Sequence, residues 1–477
     1  MRVPLSLSCI ECKKDFEFRT IEYKCPECGG LLWYKSKTSN YKKNFDKNGA
    51  YLKFWDYYFA LPPISKEFLI SLGEGGTPCR KSKRIGKNLD LKNLFFKDET
   101  HNPTNSFKDR AAALLISHAR SWDYHKVVCA SNGNQGASIA AYTSLEGMEC
   151  INIIPNEIDL GKKAQMIAYN SRIIEEGKTV DNAIKYSLRN EFINDFYQCT
   201  PEFNPLTLEA QKTIAFEIYQ KIGLPDWIII PMGNGGCLVS IWKGFYELLE
   251  SNITNELPKI IGVQSQICAP IVDEFYFKKS HDLAEEELLQ SHAKSIMVKE
   301  PLFQKLAIKA INESKGTALA LAENLMLSSV GALARYEGIF VEPASALTAS
   351  ALTILTSQYN MKSEDTVVCL ITGSGLKAPY VLEALSSRAK TAGMGSILST
   401  KLKILSQISI SNKKGIHGTK LKEIIGTVSL PAIYQHLKEL ESKKLIIRKK
   451  EGKKVIYFIT EQGSKVLEAM DIIISLL

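Results

Sequence analysis

The chain has 477 residues, of which 45% are hydrophobic and 23% are charged. This length exceeds what a single hydrophobic core usually supports, so we expect two or more domains. The longest apolar runs are far shorter than a membrane span, and the first residues show no apolar stretch followed by a small-residue cleavage site. We therefore expect a cytoplasmic protein that does not enter a membrane.

The net charge of +9 is concentrated at the C-terminal end of the chain. From Lys401 onward there are 15 Lys and Arg residues against 7 Asp and Glu residues, a net charge of +8. The rest of the chain is close to neutral. This asymmetry predicts a separate basic domain at the C-terminus.

Four of the eleven cysteines form two C-x-x-C pairs near the N-terminus. The pairs are C-I-E-C (Cys9, Cys12) and C-P-E-C (Cys25, Cys28), with twelve residues between them. Two thiolate pairs at this spacing can close a tetrahedral zinc site, and four cysteine ligands leave no position for a catalytic water. The alternative is four unrelated cysteines in a flexible tail, which is less favoured because the other seven cysteines form no such pair. We predict a structural zinc ribbon over residues 1–35 in a reducing compartment.

From about residue 70 to 390, short β-rich runs alternate with helical stretches. The alternation predicts an α/β fold with parallel sheet and helices on both faces, in which ligands bind at the carboxyl ends of the strands. The β-rich runs are LFFKDET (94–100), KVVCAS (126–131), CINIIP (150–155), DWIIIPM (226–232), KIIGVQ (259–264) and TVVCLIT (366–372).

The stretch PMGNGGC (231–237) follows a buried strand and precedes a helix. Glycines before a helix N-terminus leave backbone N–H groups free and allow a phosphate to approach closely. The spacing is neither that of a dinucleotide fingerprint nor that of a P-loop. Taken alone, glycines that merely form a tight turn explain this stretch equally well.

A lysine, Lys108, lies at a predicted strand-to-helix corner within HNPTNSFKDRAAALLISH (101–118). The N-terminal end of a helix carries partial positive charge and does not favour a lysine. One interpretation is simply a solvated lysine at the start of a helix. In an apolar pocket, desolvation favours the neutral amine, which can form a Schiff base. Together with a phosphate-binding loop, such a lysine suggests pyridoxal phosphate (PLP) as cofactor.

Seven motifs, in the order in which they occur along the chain, resemble those of the threonine synthase family. The members of this family are fold-type II PLP enzymes. The resemblance covers roughly residues 1–390, since some members of the family also carry an N-terminal cysteine ribbon. It implies two open parallel-sheet subdomains within a catalytic domain over residues 36–390. The motifs are SLGEGGTPC (71–79), FKDETHNPTNSFKDR (96–110), SNGNQGAS (131–138), NPLTLEAQKTIAFEI (204–218), PMGNGGC (231–237), EPASAL (342–347) and TGSGLK (372–377).

The resemblance implies roles for individual residues. Lys108 matches the Schiff-base lysine, Asn134 the asparagine that binds the cofactor's 3-oxygen, and Thr372 the hydroxyl that faces the pyridine nitrogen. The loop that binds the cofactor's phosphate in the family corresponds here to Gly233, Asn234, Gly235, Gly236 and Cys237. The loop that holds the substrate carboxylate matches Ser131, Asn132 and Gln135, and the stretch near the substrate's phosphate end matches Asn204 and Lys212.

The reaction implied by the resemblance converts O-phosphohomoserine and water to L-threonine and phosphate. A hydroxyl at Thr372 cannot keep the pyridine nitrogen protonated, which favours elimination and replacement over transamination, and the Lys108 amine is placed to move most of the protons. Three residues depart from the family pattern: Asn105, Asn132 and Ala210. Asn132 leaves threonine dehydratase and cysteate synthase activities open as alternatives, and Asn105 tolerates a positive φ better than most residues.

The residues from 391 to the C-terminus are expected to lie outside the catalytic domain. TAGMGSILS (391–399) has the small residues of a linker, and residues 400–477 resemble a winged helix-turn-helix domain. Within it we expect a helix that starts after an N-cap at Ser429 and carries Ile433, Leu437 and Leu440 on one face. A hairpin around Glu451-Gly452 and a final helix follow.

This basic domain is predicted to bind DNA. The helix from 429 to 445 would present Tyr434, Gln435 and Lys438 to a major groove, and the hairpin would meet phosphates through Arg448 and Lys453. The alternative is a protein-interaction or dimerisation module, and the concentrated charge favours DNA. Two functions then remain for the whole chain: a threonine synthase linked to transcription, or a transcription regulator that senses PLP or an amino acid. We expect the protein to form a homodimer.

Overall fold

The structure is a computed structural model of the chain. It describes residues 5–18, 22–45, 53–277, 288, 291–378, 400–411, 415–425, 430–451 and 454–467. The chain divides into two units, Met1–Val381 and Leu382–Leu477. The predicted linker 391–399 lies outside the described residues. No helix in the described ranges is both long enough and apolar enough to cross a membrane.

Three short antiparallel strands form the N-terminal ribbon. Cys9 ends the first strand, and Cys12, Cys25 and Cys28 lie in the connections between strands. The central strand is β1 (Leu5–Cys9), flanked by β2 (Asp15–Phe18) and β3 (Leu32–Tyr34). This ribbon packs on the rest of the first unit, because the ring of Trp33 stacks on that of Trp242 with centroids 6.4 Å apart.

The larger sheet has six strands, five of them parallel, in the order β12-β11-β10-β13-β5-β4. The edge strand β4 is antiparallel to β5. The register of β13 with β5 runs from Thr366 opposite Asn93 to Ile371 opposite Asp98, so both strands end at the same edge of the sheet. The strands are β4 (Cys79–Lys81), β5 (Asn93–Asp98), β10 (Trp227–Pro231), β11 (Lys259–Ser265), β12 (Thr317–Leu321) and β13 (Thr366–Ile371).

The smaller sheet has four parallel strands in the order β8-β7-β6-β9. Both sheets contain the β-rich runs of the sequence, so the prediction of two parallel-sheet subdomains is confirmed. The side chains of these strands are largely buried because helices cover both faces. The strands are β6 (Lys126–Ala130), β7 (Glu149–Ile154), β8 (Arg172–Glu175) and β9 (Tyr197–Gln198).

Fourteen α-helices lie in the described part of the first unit. Three of them matter most for the site: α3 follows β5, α4 follows β6 and α9 follows β10, so each begins at the carboxyl end of a parallel strand. The helices are α1 (Tyr41–Phe45), α2 (Ile85–Asn88), α3 (Lys108–Ser121), α4 (Asn134–Leu145), α5 (Leu160–Ala168), α6 (Val180–Arg189), α7 (Leu206–Gln211), α8 (Thr213–Ile222), α9 (Gly236–Glu250), α10 (Pro270–Phe275), α11 (Gln304–Glu313), α12 (Glu323–Ala332), α13 (Pro343–Ser350) and α14 (Leu352–Gln358).

The described residues of the second unit form four helical segments and an antiparallel hairpin. The helices are α15 (Thr400–Ile410), α16 (Gly418–Ile425) and α17 (Leu430–Ser442), the strands are β14 (Ile446–Glu451) and β15 (Lys454–Ile459), and residues 461–467 are helical. Ile433, Leu437 and Leu440 are buried in a core that includes Ile404 and Leu421, as the apolar spacing of the sequence predicts. Ser429 and Lys453 lie outside the described residues.

Candidate active site

The corner that carries Lys108 is built by the loop between β5 and α3. Asn105 has a φ of 62°, and its side-chain amide donates to the carbonyl oxygen of Thr100 at 3.1 Å. The left-handed conformation turns the chain so that Lys108 becomes the first residue of α3. Asparagine adopts this conformation more readily than most residues, which explains why it can occupy this position.

Two charged residues after the lysine anchor the corner. The carboxylate of Asp109 accepts hydrogen bonds from the backbone N–H and the hydroxyl of Thr104, both at 2.7 Å. The guanidinium of Arg110 is fully buried and pairs with Glu99 at 2.8 Å and with Glu217 at 2.6 Å. Asp109 and Arg110 therefore fix the first turn of α3, which leaves the neighbouring Lys108 free to face the cavity.

The amine of Lys108 lies in an apolar environment. Its Nζ is 4.7 Å from the centroid of the Phe107 ring, and burial lowers the pKa of this amine. A desolvated amine is neutral in a larger fraction of molecules, as a nucleophile or a base requires.

The loop after β6 turns sharply into α4. The hydroxyl of Ser131 accepts from the backbone N–H groups of Gly133 at 3.2 Å and Gly136 at 3.0 Å. The Asn132 side chain donates to the carbonyl oxygen of Ser295 at 3.2 Å. Gln135 is buried, and neither polar atom of its side chain has a hydrogen-bond partner within the described ranges. This loop presents a polar wall to the cavity.

Asn134, the first residue of α4, is held by a carboxylate. Its Nδ2 lies 3.1 and 3.2 Å from the two carboxylate oxygens of Glu342, and Glu342 also lies 3.4 Å from Lys162 Nζ. Nδ2 is thus committed to Glu342, whereas the described residues give Oδ1 no partner. Glu342 begins the EPASAL motif, to which the sequence alone gave no chemical role.

The glycine loop precedes α9 and has a left-handed residue, Gly235, with a φ of 89°. A Cβ at this position would lie 3.2 Å from the Cβ of Ala307, so the backbone approaches α11 closely. The side chain of Asn234 accepts from the backbone N–H of Leu302 at 3.2 Å and donates to Glu202 at 2.8 Å. The backbone N–H groups at the start of α9 remain available to an anion.

Thr372 follows β13 and is oriented by Ser345. The two hydroxyls are 2.7 Å apart, and the Ser345 hydroxyl also accepts from the backbone N–H groups of Thr372 and Gly373, each at 3.0 Å. Thr372 is buried and lines the cavity, and the contact with Ser345 holds its hydroxyl in place.

One cavity collects these elements. Its lining includes Lys108 and Phe107 from the corner, Glu202, Thr207 and Gln211 from the segment after β9, and the following predicted residues: Ser131, Asn132, Asn134, Gln135, Gly233, Asn234, Gly235, Gly236, Cys237 and Thr372.

Asn204 and Lys212 do not line this cavity. Lys212 is fully buried, with its Nζ 2.6 Å from Glu209 and 2.8 Å from Glu247. The amide of Asn204 donates to the hydroxyl of Tyr197 at 3.0 Å and to the carbonyl oxygen of Gln198 at 2.9 Å. Partners within the protein thus occupy both side chains, and the expected contact of these two residues with a substrate stays a prediction.

The four N-terminal cysteines come together at one point of the ribbon. Their sulfur atoms all lie within 4.8 Å of one another, although the two pairs are separated in sequence. Burial differs, with Cys9 and Cys25 buried and Cys12 and Cys28 exposed. Four sulfurs at this separation match the size of a tetrahedral metal site.

Comparison with known proteins identifies the family. Residues 70–373 match the family model of pyridoxal-phosphate dependent enzymes. The chain is 37% identical over 384 residues to the threonine synthase of Methanocaldococcus jannaschii, which covers 78% of this chain and 92% of that protein. It is 34% identical over 379 residues to the threonine synthase of Methanosarcina acetivorans, with coverages of 79% and 93%. The chain belongs to the threonine synthase family.

Solved structures agree on the fold of this family. Maize serine racemase superposes with a TM-score of 0.55 at 17% identity, covering 66% of this chain and 92% of that chain. A fungal L-serine ammonia-lyase from Rhizomucor miehei superposes with a TM-score of 0.56 at 18% identity, covering 65% and 98%. The fold-type II prediction is therefore confirmed, and the family membership makes the protein a PLP-dependent lyase.

The residues of the cavity fit the cofactor of this family. Asn134 Oδ1 and the polar atoms of Gln135 are buried without partners in the described part of the chain, and a bound polar group would supply them. The start of α9 can hold a phosphate, and the desolvated amine of Lys108 can take an aldehyde.

Among the lining residues that sequence reasoning missed, four carry polar side chains with a bearing on the chemistry: Glu202, Thr207, Gln211 and Glu342. Thr207, Gln211 and Glu342 lie inside motifs that had already been singled out, so their proximity to assigned residues was an available signal. Glu202 precedes its motif by two residues and had no such signal. Its carboxyl group reaches the glycine loop only through the folded chain.

Proposed function

We propose that the protein is a threonine synthase that converts O-phosphohomoserine and water to L-threonine and phosphate. The observation that carries this proposal is the single cavity that brings together Lys108, the loop from Ser131 to Gln135, the glycine loop and Thr372. The sequence identity to threonine synthases over most of the chain supports the same substrate.

When bound, pyridoxal phosphate supplies an electron sink for negative charge at the substrate's α-carbon. The start of α9 binds a phosphate through backbone N–H groups, and Asn134, held by Glu342, orients a polar group beside it. The Lys108 amine removes the proton at Cα and moves protons at Cβ and Cγ, which its lowered pKa favours. Ser131, Asn132 and Gln135 receive the substrate's carboxylate.

A substrate panel tests this function. Phosphate release and threonine formation are measured for wild-type protein with O-phosphohomoserine, and ammonia release is measured with threonine and serine. O-Phosphoserine with sulfite tests the cysteate synthase alternative. Turnover of O-phosphohomoserine alone supports the proposal, whereas preferred turnover of threonine or of phosphoserine with sulfite assigns the site to one of the alternatives left open by Asn132.

We also propose that Cys9, Cys12, Cys25 and Cys28 hold a structural zinc ion, as their clustered sulfurs support. Reduced cysteines fit a cytoplasmic protein. The ribbon contacts the catalytic part, since Tyr23 accepts a hydrogen bond from the backbone N–H of Gln198 at 3.0 Å. A metal there would stabilise the segment that leads from β9 to the cavity.

For the second unit we propose a winged-helix fold that binds DNA. Tyr434, Gln435 and Lys438 are exposed on α17, whose opposite face is buried in the core of the unit. Arg448 is exposed on the hairpin and lies 3.0 Å from Glu441, and the described neighbours Lys449 and Lys450 are exposed as well. Exposed cations on one strand support phosphate contacts, and twofold self-association would place two such units on one duplex.

Fluorescence anisotropy with a random-sequence duplex at several salt concentrations tests DNA binding. We expect affinity to fall steeply with salt, and the double variant Lys449→Glu with Lys450→Glu to weaken it strongly. Lys309→Glu, an exposed residue of the first unit, is the matched control. Equal affinity of the hairpin variant and the control would contradict the proposal. A ligand-dependent change in DNA affinity without turnover of any amino acid would assign the protein to regulation rather than synthesis.

A further inference from the structure

Glu202 is a titratable residue of the cavity to which the proposed mechanism has so far given no role. It lies between β9 and α7, and one of its carboxyl oxygens accepts from the Asn234 side chain at 2.8 Å. The other oxygen, Oε2, is buried and has no hydrogen-bond partner among the described residues. A buried carboxyl oxygen without a partner is costly unless a ligand or a proton supplies one.

The other titratable side chains of the cavity are already committed. Both oxygens of Glu342 lie within hydrogen-bond distance of Asn134, and Lys162 is close to one of them. Burial raises the pKa of the Cys237 thiol to about 12, so this group stays neutral. Lys108 is assigned to the cofactor and to the carbon atoms of the substrate. Within the described lining, Glu202 is therefore the acid–base group with an oxygen still available.

The environment of Glu202 favours the protonated carboxyl. Burial raises its pKa, and the nearby carboxylate of Asp181 acts in the same direction, while Lys108 and the Asn234 hydrogen bond oppose the increase. A protonated carboxyl can donate to a phosphate oxygen, whereas a carboxylate would repel it. Thr207 Oγ1 and Gln211 Nε2, in the same wall, are also buried without partners in the described structure.

We propose that Glu202 is a further catalytic residue, which protonates the departing phosphate and then accepts a proton from the water that adds at Cβ. This inference rests on the proposed threonine synthase function. It assigns to a carboxyl group two proton transfers at oxygen, and it leaves those at carbon to Lys108.

The proton balance closes over the two steps. In the first, the Cγ–O bond breaks, its electron pair stays on the phosphate oxygen, and that oxygen takes the proton of Glu202 Oε2. In the second, the water oxygen bonds to Cβ and its proton returns to the Glu202 carboxylate, which restores the acid. The Lys108 amine accepts the proton lost at Cβ and delivers the proton gained at Cγ. The same amine removes the proton at Cα and later returns it.

The test compares Glu202→Gln and Glu202→Asp with wild type, measuring phosphate release, KM and the absorbance of bound PLP. We expect Glu202→Gln to lower kcat about 100-fold, the lower end of what general acid–base catalysis contributes, with absorbance retained. Glu202→Asp restores part of the rate, since it keeps a carboxyl group. The matched control is Glu323→Gln, a partly buried carboxyl outside the cavity lining that pairs with Ser265 and Ser291.

Two results overturn the assignment. If Glu202→Gln keeps kcat within about threefold of wild type, no essential proton passes through this residue. If it loses the PLP absorbance, Glu202 acts in cofactor binding instead. Failure of the wild-type protein to release phosphate from O-phosphohomoserine is a different result, because it removes the proposed function itself along with this inference.

Discussion

The backbone N–H of Phe107 donates to the carbonyl oxygen of Thr372 at 3.0 Å. This bond joins the loop that carries Lys108 to the carboxyl end of β13, two segments more than 260 residues apart in sequence. The β5 and β13 pairing brings both segments to the same sheet edge, and the bond fixes their spacing. The side chains of Lys108 and Thr372 thus line one cavity from adjacent positions.

Replacing Lys108 with alanine is expected to abolish both turnover and the absorbance of lysine-bound PLP at ~410 nm, since no other lysine lines the described cavity. Absorbance spectra of the purified variant after PLP addition provide the measurement. Lys126→Ala, which removes an exposed lysine near the start of β6, should leave the spectrum unchanged. A retained band in Lys108→Ala would show that another amine binds the cofactor.

Asn134→Ala is expected to weaken PLP binding about tenfold, because one hydrogen bond to a buried polar group contributes about 1 to 1.5 kcal/mol. The variant also leaves Glu342 without the amide that it accepts from. Titration of the apoprotein with PLP, followed by absorbance, measures the Kd. Asn194→Ala, at an exposed position, is the control, and an equal Kd for the two variants would remove Asn134 from the cofactor site.

Arg110→Ala is expected to lower the free energy of unfolding by about 3 to 5 kcal/mol, because it removes the guanidinium from two buried carboxylates and leaves them only the Lys97 amine as cationic partner. Those carboxylates belong to Glu99 and Glu217, and the cations of Arg110 and Lys97 together hold the pKa of Glu217 down at about 2 against the effect of burial. Urea denaturation followed by circular dichroism gives the difference. Arg120→Ala removes an exposed arginine paired with Glu146 and should cost less than about 1 kcal/mol. Similar losses for both would contradict the buried network.

Stability is expected to fall below about pH 6.5 in a way that depends on His118. Burial lowers the pKa of this imidazole to about 3, while the unfolded chain keeps the ordinary value near 6.5. Between those two values the unfolded state binds the extra proton, so the stability present above pH 6.5 is lost as pH falls, by about 1.4 kcal/mol per pH unit.

Urea denaturation of His118→Gln and wild type from pH 4 to pH 7.5 checks this linkage. In His118→Gln, the free energy of unfolding should depend less steeply on pH than in wild type, because the contribution of His118 is removed. His125→Gln, which removes an exposed imidazole, should keep the wild-type slope. The hydrogen bond of 2.8 Å between His118 and the hydroxyl of Tyr197 makes glutamine a suitable replacement, since its amide can take the same partner. Parallel pH profiles for all three proteins would refute a buried neutral histidine.

Cys12→Ser and Cys28→Ser are each expected to reduce bound zinc from one ion per chain to near zero, because a structural site with three sulfur ligands loses most of its affinity. Elemental analysis of dialysed protein measures the ratio. Cys79→Ser, which changes a cysteine outside the cluster, should retain the full amount. Zinc retained by both ribbon variants would place the metal elsewhere.

Local patterns predicted much of this molecule. The β-rich runs became the parallel strands, and Asn105 took the left-handed conformation that asparagine tolerates. The apolar face of Ile433, Leu437 and Leu440 packs inward. These features depend on propensities and periodicities within a few residues, which are present in the sequence itself. The ordered motifs then indicated the cofactor and most of the cavity lining.

The tertiary structure alone decided which side chains are free to act. Lys212 lies within one motif and Glu202 lies two residues before it; both are titratable, and the sequence favoured the lysine. Folding buries Lys212 against Glu247, 35 residues away, whereas Glu202 reaches the cavity beside Asn234, 32 residues away. Partners at such separations are set by helix packing and sheet order, so sequence spacing determined the chemistry available, and only the fold determined which groups remain unpaired to perform it.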